Sequence, residues 1–135
     1  MIKKLLASLA CLFSTSLFAA YPGSNPIISQ TELQQLQSSG ERIIVLDVRS
    51  LDEYNESHVP GAINIPHTEM ANKIEKLITD KQQSLVVYCR SGYLASLAEK
   101  VLAEKGYGNV KHLDGDMKGW LEKGLPTEKL ATSNN

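Results

Sequence analysis

Two continuous runs of hydrophobic residues stand out along the chain, IIVL at residues 43–46 and LVVY at residues 85–88. Continuous rather than alternating apolarity is typical of strands that are buried on both faces of a sheet. Shorter strand-like segments follow the Pro60-Gly61 turn, at residues 62–65, and recur at residues 109–113. The two continuous runs are therefore predicted to be strands in the interior of a parallel sheet.

Helical patterns lie between these strands. Ser29 with Glu32, and Ser50 with Glu53, have the spacing of capping boxes, which mark helix starts. Apolar residues at spacings of three and four predict further helices at residues 70–77, 94–102 and 117–123. With about five strands alternating with about five helices, we expect an α/β fold, an about five-stranded parallel sheet with helices on both faces.

The N-terminal segment has a composition unlike the rest of the chain. A basic Lys-Lys pair precedes an apolar run at residues 5–18, which only small polar residues interrupt, and an Ala-Ala pair follows it. These features are those of a secretory signal peptide at residues 1–19, with cleavage near Ala19 or Ala20. The sequence therefore predicts a periplasmic or otherwise exported protein.

A membrane anchor and a lipoprotein signal are weaker alternatives for this segment. The run is shorter than the ~20 apolar residues that a membrane-spanning helix needs, and a segment rich in Pro, Gly and Asn follows it. A lipoprotein signal at Cys11 would have Leu where Ser8 stands. After signal removal we expect one domain at residues 27–126, a polar C-terminal tail at residues 127–135 and no stable membrane insertion.

Charge gives no indication of a nucleic-acid partner. The chain has 14 Lys and Arg against 15 Asp and Glu, and loss of the Lys-Lys pair with the signal leaves 12 against 15, a net charge of −3. Binding a polyanion needs clustered Lys and Arg. The remaining basic residues are instead scattered among acids.

Cys89 is the one cysteine that remains after signal removal, so it has no partner for an internal disulfide. It directly follows the run at residues 85–88, and ligand sites in α/β sheets gather at the carboxyl ends of strands. Arg90, Ser91 and Gly92 then form a short loop before a helix, where backbone N–H groups can stabilise a thiolate. We therefore predict a reactive Cys89, with a buried structural thiol as the alternative.

Three sequence motifs occur in an order that resembles the rhodanese family. The first comprises LDVR, EY and HVPGAINIP between residues 46 and 66, and the second is CRSG from residue 89. The third comprises LDGDMKGW and GLP between residues 113 and 126. The resemblance covers Ile27 to Pro126, and in size and predicted export the chain is similar to single-domain rhodaneses of the phage-shock periplasmic type.

The resemblance implies a thiosulfate sulfurtransferase-type enzyme that needs no metal and no cofactor. In this family a cysteine in the position of Cys89 takes sulfur from a donor such as thiosulfate, becomes a persulfide and passes the sulfur to cyanide or a thiol. A protein persulfide or a protein thiol is a further candidate partner. Asp47 and Arg49 are expected to brace the active loop. The residues expected to bind the anionic sulfur are Arg90, Ser91, Gly92, Tyr93 and Leu94.

Two residues depart from the family pattern. Leu94 stands where many relatives have a basic residue, and Asp116 stands where relatives often have Gly. Leu94 leaves Arg90 as the one charged side chain of the loop, which favours a donor that is bulkier or less charged than thiosulfate. It also keeps open an alternative function, a non-enzymatic persulfide carrier or partner-binding module.

Other cysteine chemistries fit the sequence less well. A dual-specificity phosphatase would need an Arg at the position of Ala95 to clamp phosphate. A Cys/His hydrolase would need a base that contacts the thiol, which the sequence does not indicate. The histidines His58, His67 and His112 are too scattered for a recognisable metal site.

Overall fold

The computed structural model describes residues 25–130, and the predicted signal peptide lies outside them. Five strands occur in this range: β1 Ile27–Ile28, β2 Ile43–Asp47, β3 Ile63–Asn64, β4 Ser84–Tyr88 and β5 Val110–Leu113. The α-helices there are α1 Gln30–Ser38, α2 Leu51–Glu56, α3 Met70–Leu77, α4 Tyr93–Glu104 and α5 Asp116–Glu122. A 3₁₀ turn, His67–Glu69, precedes α3. Among the residues described, no helix is both long and apolar enough to cross a membrane.

The strands form one parallel sheet in the order β1-β5-β4-β2-β3. The five-stranded parallel sheet expected from the sequence is therefore confirmed. β4 lies in the middle, between β5 and β2, and its carboxyl end leads directly to Cys89. The register of β2 against β4 places Asp47 opposite Tyr88, so the last residues of both strands meet beside the cysteine.

Helices cover both faces of the sheet because the central strands are apolar on both sides. Leu85 and Val87 pack on one face with residues of α3 and α4. Val86 and Tyr88 pack on the opposite face with residues of α1 and α5. Burying one Val or Leu side chain contributes about 1.5–3 kcal/mol, so both layers hold β4 in place.

Both predicted capping boxes lie at helix starts, and the box at α2 has both of its hydrogen bonds. At α1, Ser29 Oγ accepts the Glu32 N–H at 3.1 Å. At α2 the box is complete, since Ser50 Oγ accepts the Glu53 N–H at 3.3 Å and Glu53 Oε2 accepts the Ser50 N–H at 3.4 Å. Glu53 is therefore fixed at the start of α2, facing the loop that follows β4.

Two features at the ends of the domain differ from the simple sequence pattern. β1 has only two residues, too few for any periodicity, and was not among the strands placed from the sequence. Within the segment predicted as a polar tail, Glu128 forms an antiparallel bridge with His58, with both backbone hydrogen bonds at 2.9 Å. The chain after α5 is thus attached to the turn that precedes β3.

Candidate active site

Cys89 lies where β4 gives way to a short loop, and it is only 2% exposed. Its N–H donates to Asp116 Oδ1 at 3.0 Å. Its carbonyl accepts the Met117 N–H at 2.9 Å. The backbone of the cysteine is therefore held on both sides by the first turn of α5.

Gly92 supplies a donor to the sulfur, because its N–H donates to Cys89 Sγ at 3.0 Å. Such a donor stabilises an anionic sulfur, and both a thiolate and a persulfide are anionic. Gly92 has a φ of 110°, in the left-handed region that favours glycine. A Cβ at this position would also lie 3.2 Å from Asp116 Oδ2, so both conformation and space require glycine here.

The other residues predicted for the anion-binding loop have different environments. Arg90 and Ser91 are exposed in the loop, whereas Tyr93 and Leu94 belong to the first turn of α4. The Tyr93 side chain points to solvent, with 72% of the residue exposed. Leu94 is half-buried and packs against the core under α3 and α4. In the described part of the chain, the N–H that donates to the sulfur is that of Gly92.

Asp47 and Arg49, predicted to brace the loop, form a buried ion pair. Arg49 Nη2 donates to Asp47 Oδ2 at 2.7 Å, and Arg49 Nε donates to Asp47 Oδ1 at 3.0 Å. Tyr88 donates its hydroxyl to Asp47 Oδ2 at 2.7 Å and accepts the Val59 N–H at 3.1 Å. Because Tyr88 precedes Cys89, a single hydrogen bond links the ion pair to the strand end that bears the cysteine.

The protonation of this network follows from its burial and charges. Burial acts to lower the pKa of Arg49, but the hydrogen bonds and charge of Asp47 outweigh it and raise the pKa. Burial, with the charge of Asp47, raises the pKa of Tyr88 well above its ordinary value. Tyr88 therefore keeps its proton as a donor, and the carboxylate is satisfied by a cation and a phenol.

Arg90, the cation expected beside the thiol, is paired with Glu53. Its Nη2 lies 2.5 Å from Glu53 Oε1, and its Nε donates to the same oxygen at 3.1 Å. Burial acts to raise the pKa of Glu53, but hydrogen bonds from Arg90 and Ser50 outweigh it and lower the pKa. The positive charge of Arg90 is therefore shared with a carboxylate at the start of α2.

A pocket of about 300 Å³ opens beside the loop. Three cationic and two acidic side chains contribute to a lining of Arg49, Glu53, Glu56, Ser57, Arg90, Met117, Lys118 and Leu121. Lys118 was not among the predicted site residues, and its backbone N–H donates to the Arg90 carbonyl at 3.1 Å. A shallower depression on α1 is lined only by uncharged Thr, Gln and Ser side chains. Of these two pockets, the one at the loop is lined by cationic side chains that can attract an anion.

A charged cluster that sequence reasoning missed lies against the same loop. His112 Nδ1 is 2.5 Å from Glu99 Oε1, and His112 Nε2 is 3.0 Å from Asp116 Oδ2. Hydrogen bonds to Asp116 and then to Glu99 raise the pKa of His112 to about 10. The ring is therefore a cation at neutral pH. The available signal was Asp116 itself, at a position where glycine was expected.

Comparison with known proteins places the chain among relatives of one domain type. The family model described as Rhodanese-like domain matches residues 29–123. Thiosulfate sulfurtransferase PspE from Escherichia coli is 33% identical over 115 residues, which cover 85% of this chain and 89% of PspE. An HTH-type transcriptional regulator from Mycobacterium tuberculosis is 37% identical over 105 residues, or 77% of this chain. The chain spans only 45% of the length of that regulator.

A solved structure is similar to the chain in fold and, more distantly, in sequence. A thiosulfate sulfurtransferase from Pseudomonas aeruginosa superposes with a TM-score of 0.71 at 25% identity, covering 80% of this chain and 21% of that larger one. The residues matched by the family model include strands β2 to β5 and the loop after β4. The family match over most of the chain and its agreement with the observed fold show that the chain belongs to the family of rhodanese-like domains.

Proposed function

We propose that the chain is a sulfurtransferase that carries sulfane sulfur on Cys89, from a donor such as thiosulfate to an acceptor such as cyanide or a thiol. Relatives named as thiosulfate sulfurtransferases support sulfur transfer as its chemistry. The observation that carries the proposal is the hydrogen bond from the Gly92 N–H to Cys89 Sγ, at the end of a central parallel strand. A backbone N–H fixed beside the sulfur stabilises its negative charge both in the thiolate and in the persulfide.

The proposed reaction consists of two displacements. The Cys89 thiolate attacks the outer sulfur of thiosulfate, the sulfur–sulfur bond of the donor breaks, and sulfite leaves with the electron pair. Cyanide then attacks the outer sulfur of the persulfide, thiocyanate forms, and the thiolate returns. Each step transfers one sulfur atom without an outside oxidant or reductant, which is ordinary covalent catalysis.

The pocket beside the loop offers the charge for an anionic donor. Of its cations, Arg49 is paired with Asp47 and Arg90 is paired with Glu53. Lys118, by contrast, forms no ion pair with a carboxylate of residues 25–130, although it lines the same pocket. We infer that Lys118 supplies the charge that attracts the donor.

Lys118→Gln should raise the KM for thiosulfate about fivefold while kcat stays unchanged. A single charge at a solvent-accessible pocket contributes about 1 kcal/mol to binding an anion, and salt screens it. Initial rates at low and high ionic strength measure the effect, which should shrink at high salt. Lys76→Gln, at an exposed residue of α3, is the matched control. A KM equal to that of the wild type at low salt would contradict the assignment.

A second candidate, a persulfide carrier that gives its sulfur only to a partner protein, is favoured by Leu94. Its side chain is uncharged and packs against the core, so the first turn of α4 offers no cation at this position. A carrier would accept sulfur at Cys89 and hold it without turning over small acceptors. The two functions therefore differ in turnover, not in the first displacement.

Initial rates with thiosulfate and cyanide varied together test the proposal. We expect continuous turnover and parallel lines in double-reciprocal plots, the pattern of a covalent intermediate formed before the acceptor binds. Formation of one persulfide per chain without turnover would support the carrier instead. Intersecting lines would contradict the two-step mechanism.

A further inference from the structure

Asp116 has an unusual backbone conformation at the first position of α5. Its φ is 54°, and it is the one non-glycine residue with a positive φ among residues 25–130. Side chains with a Cβ are disfavoured in this left-handed region, whereas glycine adopts it readily. Such an outlier suggests that the side chain makes contacts that glycine could not provide.

Each carboxylate oxygen of Asp116 has a different partner. Oδ1 accepts the Cys89 N–H at 3.0 Å, and Oδ2 lies 3.0 Å from His112 Nε2. Asp116 is only 4% exposed, so these contacts replace the hydrogen bonds that water would make. The carboxylate therefore joins the cysteine backbone to the imidazole ring.

His112 is held between carboxylates from two helices. Glu99 of α4 and Asp116 of α5 each contact one ring nitrogen, and their side chains are 9% and 6% exposed. The hydrogen bonds to Asp116 and to Glu99 raise the pKa of His112 to about 10, so at neutral pH the ring is a cation that donates from both nitrogens. Asp116 is thus fixed in one orientation by a neighbour that is itself fixed.

The same carboxylate lies close to the other end of the Cys89 loop. A Cβ on Gly92 would lie 3.2 Å from Asp116 Oδ2 and 3.8 Å from His112 Cε1. Gly92 is the residue whose N–H donates to Cys89 Sγ. Asp116 therefore holds the backbone of the residue that bears the sulfur and lies beside the residue that donates to it.

We propose that Asp116 is a positioning residue for sulfur transfer: it fixes the Cys89 loop so that the Gly92 N–H stays aimed at the sulfur, and His112 with Glu99 fixes Asp116. This role rests on the proposed function of Cys89. Asp116 acts through the backbone of the loop, because its hydrogen bond there is to the Cys89 N–H.

Two substitutions separate the carboxylate from the backbone conformation. Asp116→Gly suits the left-handed backbone and removes the contacts, whereas Asp116→Asn keeps an oxygen for the Cys89 N–H and removes the charge. We expect kcat to fall about tenfold in Asp116→Gly, with KM changed less than about twofold, because misplacement of reacting groups acts on the chemical step. Asp116→Asn should keep about a third of kcat or more.

The rate at which iodoacetamide alkylates Cys89 at pH 7 distinguishes two effects of replacing Asp116, loss of its hold on the loop and loss of its negative charge. Loss of the negative charge alone would favour the thiolate and speed alkylation in both variants. Loss of positioning should instead slow alkylation about threefold in Asp116→Gly and leave Asp116→Asn as fast as the wild type or faster. Alkylation needs no sulfur donor, so this readout remains interpretable even if Cys89 forms no persulfide and the proposed function fails.

Asp114→Asn, at an exposed residue of the same turn, is the matched control. If Asp116→Gly melts at the same temperature as the wild type, its loss of kcat reflects misplacement of the loop and not loss of the fold. If Asp116→Gly does not fold, His112→Gln provides the second test. We expect its kcat to fall about threefold, because an Asp116 that is less restrained holds the loop less firmly. Wild-type kcat in the folded variant tested, or faster alkylation in Asp116→Gly, would overturn the proposal.

Discussion

Cys89→Ser should lower kcat/KM for sulfur transfer from thiosulfate to cyanide by about a thousandfold or more, as expected when a covalent nucleophile is lost. A serine hydroxyl is not ionised near neutral pH and cannot form a persulfide. The substitution is nearly isosteric, and Oγ can accept the Gly92 N–H that now donates to Sγ at 3.0 Å. Initial rates of thiocyanate formation measure the effect.

The control for this variant is its thermal stability. Cys89 is 2% exposed but contacts the core through one small side chain, so we expect the melting temperature to change by only a few degrees, about 4–8 °C per kcal/mol lost. Loss of activity in a folded variant would then reflect chemistry. Turnover above about a tenth of the wild-type rate would show that another group carries the sulfur.

Arg49→Ala should lower the free energy of unfolding by about 3–5 kcal/mol, the range found when one partner of a buried ion pair is removed. Asp47 is fully buried, so the substitution would leave its carboxylate without its cationic partner. The change also removes the hydrogen bond from Arg49 Nη2 to the Ser57 carbonyl, which is 2.7 Å long. Urea unfolding followed by circular dichroism measures the loss.

Two further variants make this result specific. Arg42→Ala, at an exposed arginine before β2, should change stability by less than about 0.5 kcal/mol. The double variant Asp47→Asn, Arg49→Met removes both charges and should recover part of the loss, because no buried charge remains uncompensated. A loss below about 1 kcal/mol in Arg49→Ala would contradict the buried ion pair.

The fold could be predicted because the central strands are apolar on both sides. Leu85 to Tyr88 must face helices in two directions, which suits an interior parallel strand. β1 could not be predicted in the same way, because its place is set by pairing of Ile28 with Leu113 of β5 and not by any local pattern. Register was equally out of reach, although it brings Asp47 opposite Tyr88.

The candidate site was predictable where it depends on neighbours in sequence. The strand end, Cys89 and the Gly92 turn are contiguous, so their arrangement follows from local geometry. The pairing of Arg90 with Glu53 joins residues that are 37 positions apart, and sequence alone does not reveal such a contact.

The direction of individual side chains could not be predicted from the sequence either. Leu94 follows the loop in sequence, yet as part of α4 it is half-buried and packs against the core. Glu99, His112 and Asp116 lie on a helix, a strand and another helix, and only the tertiary fold brings them together. Asp116, at a position where glycine was expected, was the one signal in the sequence, and it did not indicate which residues it would contact.

The proposed sulfur-carrying role of Cys89 is tested most directly by the intact mass of the protein after incubation with thiosulfate and no acceptor. We expect a gain equal to one sulfur atom in the wild type, its loss when cyanide is added, and no gain in Cys89→Ser. An unchanged wild-type mass under conditions in which the same preparation turns over thiosulfate and cyanide would contradict a Cys89 persulfide.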